Sequence, residues 1–226
     1  MGIIRLNIVV EGQSEETFVN EILAPHLALN GVYAVARAVA TGKKKHYIYR
    51  GGVTTYAKIY NDIVNWIKQD PRSYITTMFD LYGLPEDFPG KDGLQPNIDC
   101  YEKVSRLEEA FAKDINYQRF IPYLQLYEFE TLLFADLDKL KCFYVQGKDA
   151  AIRRLKDSVK DTAPELINEG VNTAPSKRII REIPEFIDGK GVVGPLVAGQ
   201  IGLPILRQTC PHFNKWIEEL EALSQK

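Results

Sequence analysis

The stretch Leu6–Phe18, LNIVVEGQSEETF, constrains the fold more than any other part of this chain. Its short apolar run Ile8-Val9-Val10 stops at Glu11-Gly12, and a second acid, Glu15, opens a helical pattern behind Ser14, a plausible N-cap. An apolar run without alternation is how a strand buried on both faces reads, and such strands belong to parallel sheets. In open α/β sheets, ligands bind just beyond the carboxyl ends of the strands. Glu11 is therefore expected on the functional edge of a sheet, with Glu15 on the first turn of the helix that follows.

The rest of the chain repeats that alternation. Further strands are expected over 32–40, 74–79 and 119–127, separated by helical patterns over 15–29, 55–68 and 101–113, with a short helix at 131–136. Pro25 is expected to kink or end the first helix. The order β-α-β-α-β-α-β predicts an α/β, three-layer domain with a mostly parallel four-stranded sheet. From residue 137 the pattern turns helical, at 150–159, 176–185 and 211–224, with a glycine-rich loop expected at 188–194. The organisation read from this is a core over 1–136 and a C-terminal helical extension over 137–226, packed on it.

Composition narrows the class. A net charge of -2 over 226 residues gives no global basic field, which weakens an architectural DNA-coating role and leaves room for a local basic groove. Cys100, Cys142 and Cys210 are too scattered for a disulfide framework or a zinc spacing, and point to a reducing compartment. No apolar run has bilayer length, so the expectation is a cytoplasmic protein with no membrane partner.

The expected strand ends bring carboxylates together. Glu11 follows the first strand, Asp80 ends the run TTMF, Glu128 and Glu130 follow the last strand, and Glu15 joins from the helix. Hard oxygen ligands in this number suit Mg²⁺ or Mn²⁺, and two such ions can clamp a phosphodiester. Helix N-termini also attract acids through the macrodipole alone, which is the simpler account of Glu15, Glu128 and Glu130 taken singly. Glu11 and Asp80, each directly after an apolar strand, are not explained that way.

VVEGQSEETF resembles the first motif of the TOPRIM fold as it occurs in OLD-type nucleases, and Asp80 after TTMF resembles the second. The likeness extends over residues 3–136. Through VEGQSEE, GGVTTYAKI, TTMFDLYGLP, LYEFETLLFAD, APSKRI and CPHF, nearly the whole chain is similar to TOPRIM-like bacterial proteins often encoded beside an ATPase. The resemblance implies Glu11 as acid/base or metal-site glutamate, and Glu15 and Asp80 as metal ligands. The chain departs from the D-x-D second motif, with Tyr82 at the second acidic position. Either one metal subsite is lost, or Glu128 and Glu130 replace it; replacement is the expectation.

Lys177, at the start of a helix with Arg178, is the candidate lysine for stabilising phosphoryl charge. Lys43, Lys44, Lys45 and Arg50, interleaved with Tyr47 and Tyr49, suit a nucleic-acid backbone and unstacked bases, and Arg178 of the C-terminal part is a further candidate contact. His26 and His212 are expected in local structural roles. The function expected is metal-dependent hydrolysis of DNA or RNA phosphodiesters, in anti-phage or restriction-like defence with an ATPase partner. The alternatives are a non-catalytic metal- or partner-binding module that regulates the ATPase, and a nucleotide phosphoryl-transfer enzyme.

Overall fold

Strand β1 (Ile4–Val10) lies inside the sheet, with parallel neighbours on both sides in the computed structural model of the chain. The structure describes residues 3–44, 47–50, 55–95, 97–144, 147–160, 162–167 and 172–225, with the backbone alone over 40–44 and 47–50. Leu6, Ile8 and Val10 join one buried cluster and Val9 another, so β1 is apolar on both faces because both faces are covered. A continuous helical run follows: α1 (Gln13–Phe18), a π-turn (Val19–Leu23) and α2 (Ala24–Leu29). Pro25 neither ends nor breaks this run. It sits in the first turn of α2, where a missing N–H is tolerated, behind the wide turn closed by the Ala24 N–H on the Val19 carbonyl.

Strand β2 (Val32–Ala38) pairs along the full length of β1. The basic insertion forms an antiparallel hairpin, β3 (Ala40–Lys44) and β4 (Tyr47–Arg50). Helix α3 (Tyr56–Gln69) leads to β5 (Tyr74–Asp80), and α4 (Cys100–Ile115) to β6 (Phe120–Ile121) and β7 (Leu124–Gln125), both paired with β5. The expected last strand is thus split at Pro122, which has no N–H for the ladder. Thr77 bridges the break: its Oγ1 donates to the Tyr123 carbonyl at 2.9 Å and accepts from the Tyr123 N–H at 3.0 Å.

Every pairing in the main sheet, ordered β2-β1-β5-β6, is parallel, and helices cover both faces. Helices α3 and α4 cover one face through Ile59, Ile63, Leu107 and Phe111. The other is covered by Phe18, Leu23 and Leu27 together with α5 (Asp149–Asp157), α6 (Pro175–Glu182), α7 (Phe186–Ile201), α8 (Leu203–Thr209) and α9 (Pro211–Glu221). The segment 188–194, expected as a glycine-rich loop, is the first half of α7. Its glycines let the helix lie close to its neighbours: a Cβ at Gly191 would lie 3.7 Å from Gln13, and one at Gly194 3.5 Å from Phe129. The short helix expected at 131–136 is a 3₁₀ run, Phe129–Ala135.

No single helix among the described residues is long and apolar enough to cross a membrane. Helices α7 and α8 together approach that composition, but they meet at 87°.

Candidate functional site

The strand order reverses between β1 and β5. The chain leaves β1 for β2 on one side and returns to β5 on the other, opening a crevice at the carboxyl ends of these two strands. Glu11 and Asp80 flank it. The Glu11 Oε2 accepts from the Asp80 N–H at 3.3 Å, tying the two strand ends together. Space for that carboxylate depends on Gly83, where a Cβ would lie 3.1 Å from both Glu11 carboxylate oxygens.

Glu15, only 5% exposed, accepts from the Gly12 N–H at 2.9 Å and so caps α1. Glu130 is fully buried on the 3₁₀ run after β7. Between β7 and this run, Tyr127 takes a left-handed φ of 61°, and its carbonyl accepts from the Tyr82 N–H at 3.0 Å. Tyr82 therefore contributes its backbone to the turn that presents Glu128, while its side chain is exposed. Glu128 accepts from the Ser176 N–H at the start of α6, at 2.9 Å.

A lysine completes the group. Lys190 of α7 places Nζ 3.0 Å from Glu130 Oε2, an ion-pair distance. Lys177 is exposed on α6, so the lysine paired with these carboxylates is Lys190 rather than Lys177. Nothing in the pattern DGKG marked it, because glycines on both sides read as a loop.

Electrostatics follow from the crowding. Burial raises the proton affinity of Glu11, aided by Glu128 and opposed by the Asp80 N–H and Lys190. Glu15 is pushed up to about 7, by burial first and then by Glu11 and Glu130. Asp80 is held well above the usual carboxylate range by burial and by Glu15, Glu11 and Glu130. Burial also raises Glu130, against the pull of Lys190. For Lys190, burial opposes the charge, but Glu130, Glu128 and Asp80 outweigh it and hold the ammonium above its ordinary value.

Asp80 Oδ1 and Glu130 Oε1 are buried with no hydrogen-bond partner among the described residues. Orphaned carboxylate oxygens in an acidic cluster are the chemistry a hard divalent cation satisfies, so the donor types fit one. Among the described residues, no group of three or more His, Cys, Asp or Glu is already arranged to hold a metal ion. Convergence on one ion would therefore require rotation of these side chains.

The remaining expectations divide. Arg178 is half-buried, and its Nε and Nη1 donate to the Thr173 and Ser158 carbonyls, at 2.7 and 3.4 Å. Lys45 and the side chains of Lys43, Lys44 and Arg50 lie outside the described residues. His26 and His212 tie elements distant in the chain, His26 to Glu221 at 2.6 Å and His212 to Glu108 at 3.0 Å.

A family model described as a domain of unknown function, DUF4276, matches residues 10–221. The chain belongs to the DUF4276 family. The match begins beside Glu11 and ends in α9, so the DUF4276 unit holds the sheet edge and the helix bearing Lys190 together. No curated protein and no solved structure matches the chain.

Proposed function

We propose that this DUF4276 protein is a Mg²⁺- or Mn²⁺-dependent phosphodiesterase acting on DNA or RNA, with its reacting centre between the ends of β1 and β5. The observation that carries this reading is the concentration of Glu11, Glu15, Asp80 and Glu130 there, each with raised proton affinity, around the unbonded Asp80 Oδ1. Such a cluster is destabilised until protons or a cation enter it. Glu11, Glu15, Asp80 and Glu130, with Glu128 beside them, are the residues that would hold the ion. When bound, it would supply Lewis-acid polarisation of a phosphoryl oxygen.

The chain's own groups supply the rest. Glu11, whose burial raises its affinity for a proton, suits the acceptance and return of the proton of an attacking water. The Lys190 ammonium suits the charge that develops on the phosphoryl oxygens, the role expected of Lys177. The scattered cysteines support a cytoplasmic location; the likeness to TOPRIM-like proteins supports the same catalytic reading, and with it an ATPase partner and a role in phage defence. These last two rest on association alone.

A second reading has its own support: Tyr82 stands where the related motif has a second Asp, and Lys190 already offsets part of the charge on Glu130. In that reading the acidic edge binds an ion or a basic segment of the ATPase without catalysis. Cleavage of DNA and RNA with Mg²⁺ or Mn²⁺ separates the two. Wild type is expected to cleave, Glu11→Ala to lose about 100-fold or more, and Lys190→Met a similar factor. Lys177→Ala is expected to stay near wild type. Metal binding without cleavage, with the ATPase present or absent, would establish the second reading.

A further inference from the structure

At the amino edge of the sheet, opposite the carboxylates, a cavity of about 280 Å³ is lined by Ile3, Ile4, Arg5, Arg72, Tyr74 and Arg119. The register sets β1, β5 and β6 side by side here, with Leu6 beside Tyr74 and Ile75 beside Phe120. Three arginines, at or just before the starts of three neighbouring strands, thus line one cavity. The one carboxylate hydrogen-bonded to any of them is Asp70, among the described residues.

The turn between α3 and β5 holds this arrangement in place. Arg5 donates to Asp70 through Nε at 2.6 Å and Nη2 at 2.9 Å, and the Arg72 N–H donates to Asp70 Oδ1 at 3.3 Å. Arg119 Nη1 donates to the Arg72 carbonyl at 2.7 Å, while its guanidinium lies over the Tyr74 ring at 5.2 Å. Tyr117 donates to the Pro71 carbonyl at 2.9 Å, and Ser73 Oγ to the Asp70 carbonyl at 2.8 Å. Arg5 and Arg119 are therefore pre-set, each with N–H groups to spare. The Arg72 guanidinium has neither a hydrogen-bond acceptor nor a carboxylate within ion-pair distance among the described residues.

We propose that this cavity binds a phosphomonoester. Planar guanidinium forks match phosphate oxygens in pairs, and fixed ones lose little freedom on binding. A dianion would offset the two positive charges that remain after Asp70 is counted against the three arginines. The cavity exceeds a phosphate group several-fold, judged against the ~30 Å³ share of one water. The organic part of the ester lies on the apolar wall of Ile3 and Ile4. That ester is a free nucleotide or the phosphorylated end of an oligonucleotide. The proposal stands apart from the nuclease reading, since it uses no residue of the carboxyl edge.

The test is calorimetric titration of the full chain, at low ionic strength, with inorganic phosphate, adenosine, adenosine 5′-monophosphate and a 5′-phosphorylated dinucleotide. Saturable binding is expected for phosphate and, more tightly, for at least one of the two phosphorylated nucleotides, with none for adenosine. Whichever of these binds more tightly identifies the source of the phosphate. Arg72→Ala is expected to weaken binding about tenfold and Arg72→Glu to abolish it, both with unchanged melting, because Arg72 is exposed. Lys190→Met is expected to leave it intact. Absence of saturable binding at about 10 mM ligand, insensitivity to Arg72→Glu, or loss in Lys190→Met alone would overturn the proposal.

Discussion

Glu15 has two roles that pull against each other. Its carboxylate caps α1 through the Gly12 N–H, yet it is buried between Glu11 and Glu130 and titrates at about 7 instead of 4.5. A carboxylate raised on folding lowers stability as pH rises from the unfolded value to the folded one. The cost is absent below about pH 4.5 and complete above about pH 7, at an upper bound of about 3 kcal/mol. Gln at the same position can still accept from Gly12. In metal-free buffer, Glu15→Gln is therefore expected to gain about 2 kcal/mol at pH 8 and almost nothing at pH 4.5, as measured by urea unfolding. An equal gain at both pH values would show that burial of the charge is not the cause. Glu11, Glu15 and Asp80 were legible at this scale because a strand or helix boundary marks each. Lys190 carried no such mark.

Helix α7 is where the sequence and the fold part company. Glycines at 189, 191, 194 and 199, with Pro195, argue against a helix by local propensity. Tertiary packing overrides that propensity: α7 is held against α1 and the 3₁₀ run, and comes closest to the π-turn. A Cβ at Gly199 would come within 3.1 Å of Ile22. Gly199→Ala trades this contact against the higher helix propensity of Ala and is expected to be near neutral. Gly199→Val adds branching that Ile22 cannot clear, and is expected to cost about 1–3 kcal/mol in denaturant unfolding. The proposed nuclease activity is expected to fall with it, since α7 also carries Lys190. The π-turn before Pro25 shows the same priority: the helix adjusts one turn rather than give up the apolar contacts of Leu23 and Leu27.

Across the whole molecule the sheet separates charge along the strands, with carboxylates at the carboxyl edge and the arginine-lined cavity at the amino edge. The acidic edge resists folding on its own, so a divalent cation that binds only the folded state must stabilise the protein. At 100 times its dissociation constant, the gain is about 2.7 kcal/mol. Thermal melting at pH 8 is expected to shift upward with Mg²⁺ or Mn²⁺ and to stay fixed in Asp80→Asn. Near pH 4 the shift is expected to shrink in wild type, because protonated carboxylates do not bind the ion. An unchanged wild-type melting temperature in both metals at pH 8 would remove the cation from the account of this site.

The sequence alone determined the α/β class, the parallel sheet and the edge on which Glu11, Asp80, Glu128 and Glu130 gather. These follow from short-range signals, apolar runs and the residues that end them, which each strand carries within itself. It also pointed to Lys177, not to Lys190 beside the carboxylates, and to a loop where α7 runs. Only the tertiary structure shows these points, because packing against α1 and the 3₁₀ run, which no local signal in DGKG reports, keeps the glycine-rich segment helical. Contact between α1 and α7, 178 residues apart at Gln13 and Gly191, is a property of the packed chain. So is the shared cavity of Arg5, Arg72 and Arg119, which lie at or just before three strand starts that only the sheet brings side by side.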